Sequence, residues 1–339
     1  MALTLDGTNG LTFNDTSLQG AAASPYVLKN RIINGDMVID QRNAGASVTV
    51  NTSNNFYDVD RFFGTGQVTD GVFTLQQSST APVGFVNSMV ATVTTADSSL
   101  GATQQYVIGQ SIEGFNTADL QWGTANAKTI TLSFWVRSSL TGTFGGALIN
   151  SAFNRSYPFS YTISVANTWE QKSVTIAGDT SGTWIGATNG IGIRVLFSLG
   201  AGSTYSGTAG AWSGSYLTSA TGAVSVIGTN AATWYVTGVQ LEVGSTATPF
   251  ERRLYDKELI SCQRYYELVD GLVSTSAWTG ILNLVYWKVT KRAAPTITTT
   301  VPSGSGAVFA TFGYQTNSAY QSVANSAFTS AYVIGNSEL

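Results

Sequence analysis

The sequence predicts an all-β protein: a jelly-roll-like antiparallel β-sandwich with a short N-terminal β arm, one connecting α-helix and a small C-terminal β-domain. Three observations carry this expectation. Charged residues are only 10% of the 339, against roughly 25% in an average soluble protein, and Ser, Thr, Gly, Asn and Gln take the surface instead. Thr, Val, Tyr and Trp suit a pleated sheet, while Gly and Asn supply tight turns. Apolar residues recur at every second position in runs separated by Gly- and Ser-rich turns, with no strand–helix alternation. Hydrophobic residues at 43% and aromatics at 12% suffice for a core, and the length implies one large domain plus a smaller one, or two.

Residues 1–29 form the arm. "LTLDGTNG" is followed by "LTFNDTSL", so that Leu3, Thr4, Leu5 and Thr8 reappear as Leu11, Thr12, Phe13 and Thr16. Two such short units cannot bury their own apolar face, so Leu3, Leu5, Leu11 and Phe13 are candidates for oligomerisation or attachment, with a surface arm as the plainer reading. "QGAAASPY" reads as a linker.

Residues 30–250 form the sandwich. "NRIINGDMVIDQRNAGASVTV" predicts a strand, an Asn34-Gly35 turn and a second strand. In "TITLSFWVRSS", Ile130, Leu132, Phe134 and Val136 alternate with Thr131, Ser133, Trp135 and Arg137. In "GIGIRVLFSLGAG", Ile191, Ile193, Val195, Phe197 and Leu199 share one face. Such alternation marks a sheet with one buried and one wet face. In "TWYVTGVQLEVG", Trp234 and Val236 hold one phase and Val239, Leu241 and Val243 the other, which predicts a bulge at Gly238 in the last strand.

Residues 251–268 form the helix. Nine of the 35 acidic and basic residues lie between Glu251 and Asp270. Tyr255, Leu259, Cys262 and Tyr266 fall at helical spacing, Asp256 is a plausible N-cap, and the charges are expected on the solvated face. Cys262 on the apolar stripe reads as core. Residues 269–339 form the C-terminal domain, with four or five strands read in 281–301 and 307–334.

Several functions are excluded or left without support. Histidine is absent, which removes Ser-His-Asp and Cys-His catalysis and the HExxH zinc site. Nineteen carboxylates leave a two-carboxylate glycosidase open, although the sequence pairs none of them. The net charge of −3 comes with no basic stripe for nucleic acid. No run of about 18 apolar residues exists, the start "MALTLDGTNG" lacks signal-peptide features, and a lone Cys262 rules out an intrachain disulfide.

"NRIINGDMVIDQRNAG", "YDVDRFF", "SFWVRSSLTGTF" and "TWYVTGVQLEVGSTATPFERRLYDKELISCQRYYE" resemble a family of bacteriophage virion proteins, tail-fibre or minor structural proteins with a jelly-roll module similar to carbohydrate-binding domains. The resemblance covers roughly residues 30–268 and is most specific from Gln240 to Tyr266, and the 3–18 repeat is similar to attachment arms of fibre proteins. It implies a non-enzymatic particle component, usually a homotrimer, at a tail, fibre or capsid surface, made in the host bacterial cytoplasm. Host-surface glycan and other virion proteins are the expected partners. A capsid cement or head-decoration protein without receptor role is the alternative, and a tail-associated polysaccharide depolymerase the weaker one.

Sugar recognition uses an aromatic face with Asp, Asn, Gln or Arg on the hydroxyls. Trp135, Arg137, Arg194, Gln240 and Glu242 are candidates to line one concave sheet surface, unless Trp135 is covered and Arg137 paired with a carboxylate. Trp212, Tyr205 and Tyr216 lie in a Gly/Ser loop and are candidates for ligand or partner contact. Asp40, Asp58 and Asp60 are candidate ligands of a structural Ca²⁺, without EF-hand spacing and with Asp60–Arg61 as a competing ion pair; no other cofactor is expected. Glu251, Arg252 and Arg253 read as an intersubunit salt-bridge cluster or a solvated turn.

Overall fold

The computed structural model describes residues 4–6, 10–12, 18–19, 29–66, 70–269, 281–300, 308–324 and 332–339. At the start, β1 (Thr4–Asp6), β2 (Gly10–Thr12) and β3 (Leu18–Gln19) form a three-stranded antiparallel sheet, with Leu5 opposite Leu11. Each half of the sequence repeat therefore supplies a strand. Leu3 and Phe13 lie outside the described residues, as do the side chains of Leu5 and Leu11.

The sandwich is built from β4 (Val48–Val50), β5 (Phe56–Tyr57), β6 (Phe63–Gly66), β7 (Val72–Ser78), β8 (Ser88–Thr95), β9 (Gln105–Glu113), β10 (Ile130–Ser138), β11 (Gly142–Ile149), β12 (Ser156–Ile163), β13 (Glu170–Ile176) and β14 (Ile191–Ala201). The two-residue β15 (Ser206–Gly207) and β16 (Ser219–Ala220) follow, then β17 (Thr233–Val243). The back sheet has the order β13-β10-β17-β8-β7-β4 and the front sheet β12-β11-β14-β9-β6-β5. Every pairing within them is antiparallel. This is the expected jelly-roll-like sandwich.

The core lies between the sheets because the alternating runs point their apolar phase inward. Leu132, Phe134 and Val136 of β10 meet Ile193, Val195, Phe197 and Leu199 of β14 in one buried cluster. Each such side chain contributes about 1.5–3 kcal/mol by leaving water. The bulge in β17 is present: its register against β10 shifts between Ser133 and Trp135. That shift inverts the phase, so Trp234 and Val236 before it and Val239 and Leu241 after it all reach the same core. Gly238 takes φ +61° there, and a Cβ would stand 2.7 Å from the Phe85 ring.

Three sequence expectations change. Residues 29–47 form no strand; they run along β17, with Arg31 N donating to Leu241 O and Val239 N to Gly35 O. Asn side chains replace a partner strand: Asn30 Oδ1 accepts from the N–H of Ile32 and of Leu241, and Asn34 binds both backbone groups of Ile39. Gly35 is required, because a Cβ would lie 2.2 Å from Val239 O.

The helix α1 (Tyr255–Gln263) is shorter than expected, and Tyr266 begins β18 (Tyr266–Val269) instead. Leu254, not Asp256, holds the N-cap position, and no side chain caps it. Tyr255 is exposed, while Glu258, Cys262 and Gln263 are the buried residues of the helix. The stripe is polar because it faces backbone donors, with Glu258 accepting from Asn34 N.

Part of the charge after Pro249 therefore points inward, while Arg252, Asp256 and Lys257 stay exposed. Glu251 accepts from Lys29 N and Asn30 N, and Arg253 donates to Asn30 O and Ile32 O and pairs with Glu258. Arg252 donates to Gly84 O and lies over the Phe85 ring. All three make hydrogen bonds within the chain, Arg252 from an exposed position.

Beyond the helix come β19 (Ile281–Tyr286), β20 (Thr296–Thr300), β21 (Val308–Tyr314), β22 (Ser318–Ala324) and β23 (Tyr332–Asn336), arranged as sheets β18-β23-β20 and β19-β22-β21. Charge joins this unit to the sandwich. Arg264 makes two hydrogen bonds to Glu113, of 2.9 and 2.6 Å, and Tyr265 Oη donates to the same carboxylate. Glu338 pairs with both Arg42 and Arg61. Lys291 and Glu267 form an ion pair with both side chains fully buried. Removing one partner of such a pair strands the other charge. Lys291→Met is expected to lower stability by about 3–5 kcal/mol in urea unfolding, and Lys291→Met combined with Glu267→Gln to recover part of that loss.

Candidate functional site

The outer face of the front sheet is where the chain leaves aromatic and cationic chemistry within reach of solvent. Its small floor is a second apolar cluster of Phe63, Val107, Ala147, Ile149 and Leu196, against which Tyr57 and Tyr216 pack. β14 supplies Arg194, which stands opposite Ile149 on one side and Ser111 on the other. Because Ile193 and Val195 face the core, the period of two sends Arg194 to the outside.

Two loops raise walls around Arg194. The first is the β11–β12 turn, gathered by the buried Asn150, whose Oδ1 accepts from Asn154 N and Arg155 N and whose Nδ2 donates to Thr183 O. That turn holds Phe153 at φ +57°, a left-handed backbone that bulky residues avoid. Its ring is 40% exposed. Such strain persists only where the surroundings impose it, and it concentrates at functional positions.

The second wall comes from residues 202–218. Ser213 and Ser156 exchange backbone hydrogen bonds and Gly210 N donates to Pro158 O, so the loop runs along the β12 edge. It then turns over the sheet, and Tyr216 packs edge-on against Phe153 at 5.0 Å and Tyr205 at 5.3 Å. Gln105 Nε2 donates to Tyr216 Oη at 3.2 Å and fixes that ring. On the far side, Tyr57 packs on Phe63 at 5.9 Å, and its hydroxyl donates to Leu339 O.

Arg194 lies within this ring of aromatics, with its guanidinium carbon 5.0 Å from the Phe153 centroid and 5.9 Å from that of Phe63. It is half-buried, and its Nε is buried with no acceptor. Burial pushes its pKa down, and the charges acting the other way are the phenols of Tyr216 and Tyr57. Burial likewise pushes both of those phenols up.

The structure distributes the predicted residues over several places. It unites Arg194, Tyr205 and Tyr216. Trp135 and Arg137 lie on the outer face of the back sheet, the opposite side of the sandwich, so no single surface holds them with Arg194. There Arg137 donates to Asn167 O and lies 4.9 Å from the Tyr235 ring, beside Trp169. Gln240 and Glu242 are buried: Gln240 donates to Glu242, which accepts from the Thr248 N–H and hydroxyl, so both hold the turn after β17. Trp212 packs with Trp122 and Trp184, ring centroids 4.7–5.4 Å apart, and its indole N–H donates to Ala177 O. Phe153, Tyr57 and Phe63 were not anticipated. Phe153 left a trace as a lone aromatic in the polar turn "NSAFNRS", whereas Tyr57 and Phe63 look like any core residue.

The three aspartates proposed for Ca²⁺ have separate tasks. Asp40 accepts from Asn43 N and Gly45 N, and Asp60 from the backbone and side chain of Gln41. Arg61 pairs with Glu338, not Asp60. Asp58 is fully buried, and neither carboxylate oxygen has a partner. Among the described residues, no three acidic or Cys side chains converge as a metal site.

No family model matches the sequence, and no curated protein matches it. Solved structures do align. The chain is similar to the enzymatically active domain of tailspike protein 4 of bacteriophage CBA120, at 14% identity and TM-score 0.33, over 66% of this chain and 22% of that one. A putative sugar binding protein from Bacteroides thetaiotaomicron aligns at 12% identity and TM-score 0.38, over 64% of this chain and 100% of that one. A family 11 carbohydrate-binding module from Clostridium thermocellum, in complex with a β-1,3-1,4-mixed-linked tetrasaccharide, aligns at 10% identity and TM-score 0.30, over 60% and 98%. With TM-scores of 0.38 and below, these alignments assign neither ligand nor activity to this chain.

Asp58 makes the segment beside Tyr57 sensitive to pH. Burial first, and the charge of Asp40 second, push its pKa from 3.8 to about 7. The folded chain thus keeps a proton that the unfolded chain releases between those values, so stability from this group is lost as pH rises from about 4 to about 7. Asp58→Asn is expected to be more stable than the parent at pH 8, by on the order of 2–4 kcal/mol, with the difference fading near pH 4. Urea denaturation at the two pH values measures it.

Proposed function

We propose that this chain is a non-enzymatic subunit of a bacteriophage particle, trimeric and attached through its N-terminal arm, that binds host-surface glycan on the outer face of its front sheet. The single observation that supports glycan binding best is the aromatic enclosure around Arg194. Phe153, held in a strained turn, Tyr216, Tyr205 and Tyr57 surround a cation on a floor of small apolar residues. Aromatic faces with a few polar groups suit the apolar faces and hydroxyls of sugars. The virion and trimer parts of the proposal rest on the sequence resemblance over residues 30–268.

The non-catalytic part of the proposal rests on the same sequence resemblance, and Arg194 is the charged member of this face. Weak binding at one face would gain strength from several copies on one particle.

Two measurements test the proposal. On an array of bacterial surface polysaccharides the chain is expected to retain a defined set of glycans. Tyr216→Ala or Phe153→Ala should weaken retention roughly tenfold or more, about 1.4 kcal/mol, with unchanged melting. An array that retains nothing would remove the glycan reading. Sedimentation should give a particle of three 35.7 kDa chains, and a monomer at micromolar concentration would remove the trimer.

A further inference from the structure

Resting on the glycan reading above, we infer that the face takes an acidic glycan, in which a sugar carboxylate pairs with the guanidinium of Arg194.

The inference starts from what arginines do in the rest of the chain. All ten lie among the described residues, and nine of them find an acceptor. Arg31, Arg42, Arg61, Arg155, Arg253 and Arg264 pair with carboxylates. Arg137, Arg252 and Arg292 donate to backbone carbonyls. Among the described residues, Arg194 is the one arginine with neither a hydrogen bond nor an ion pair. Its contacts are the Phe63 and Phe153 rings.

A half-buried guanidinium without an acceptor is expensive, because water that would solvate it is partly excluded and Arg does not shed its proton. Two aromatic faces recover some of that cost. A neutral sugar hydroxyl would accept one hydrogen bond and leave the charge uncompensated. A carboxylate meets the planar fork with two parallel hydrogen bonds and cancels the charge.

The surroundings favour an anion as well. Tyr57, at the far wall, feels the charges of Arg61, Arg42, Arg194 and Arg292. Glu338 is bonded to Arg42 and Arg61, and Glu113 to Arg264, so the nearby carboxylates are already committed elsewhere. Ser111 Oγ, on the strand residue beside Arg194, also lacks a partner.

Calorimetric titration of the full chain with three probes tests this: an oligogalacturonate, the same oligosaccharide fully methyl-esterified, and an oligosialic acid. At least one acidic probe is expected to bind tenfold or more tightly than the ester, with the advantage shrinking as salt rises. Which acid binds separates a uronate from a nonulosonate source. Arg194→Gln should erase the preference without lowering the melting temperature, and Arg194→Lys should keep part of it. Equal affinity for acids and ester overturns the inference, as does a preference that survives in Arg194→Gln. In both cases sugar binding persists and the glycan reading stands. Failure of every probe, together with an empty array, overturns both.

Discussion

A charge withdrawn from water must find a partner or lose its charge, and this constraint shapes the molecule more than any other. With only 35 acidic and basic residues, the chain places many of them at joints. Glu113 receives Arg264 and Tyr265, Glu338 receives Arg42 and Arg61, and Glu267 receives Lys291. The first two sets join the sandwich to the segments after it, and the third lies within those segments. Hydrophobic burial stabilises the two sheets, but it does not say where the helix and the last strands must dock. Directional, charge-assisted hydrogen bonds do.

The same constraint explains how the aromatic groups near Arg194 are held in place. The loop after β14 and the C-terminal tail both cross the outer side of the front sheet, one bringing Tyr216 and the other meeting Tyr57. Between them lies Arg194. Both coverings are held at a distance from it by bonds made elsewhere: Ser213 to Ser156 on one side and Glu338 to its two arginines on the other. The groups on either side of Arg194 are therefore fixed by these joints and do not depend on Arg194 being paired within the chain.

What could be read from the sequence follows from which forces are local. Period-two alternation is local, so the strands around Phe134 and Phe197 were legible, and so was the bulge at Gly238, where the apolar phase flips. The segment 29–47 was not, because Asn30 and Asn34 satisfy backbone groups far along the chain and imitate strand pairing without forming it. The charge near the helix was legible as a concentration but not as a direction. Glu258 turns inward because Asn34 N waits 224 residues earlier, and nothing in the local pattern reports that. At the site, Arg194, Tyr205 and Tyr216 were identifiable as residues exposed by pattern or loop. Their convergence, and the separation of Trp135, Arg137 and Trp212 from them, depended on which sheet each strand joins. Phe153 was hidden because its role comes from a backbone angle imposed by Asn150.

Among the described residues, Asp58 and Arg194 both stand outside the pairing rule, and they are not equivalent. Asp58 resolves its situation by holding a proton, since burial and Asp40 raise its pKa to about 7. Below about pH 7 it is mostly protonated and needs no partner, and it costs stability as it ionises. Arg194 has no such option, because a guanidinium stays charged throughout the accessible pH range. Its compensation comes from the rings beside it, from water at its exposed edge, or from an anion that arrives. A structural arginine at this position would gain from a neighbouring acid, and Ser111, directly opposite, or Ser198, two pairs along the same face, offers a place for one. The chain has small hydroxyls there. Sequences that satisfy their polar groups elsewhere tend to depart from that rule where function demands it, and here the departure coincides with a strained aromatic turn and an opening to solvent.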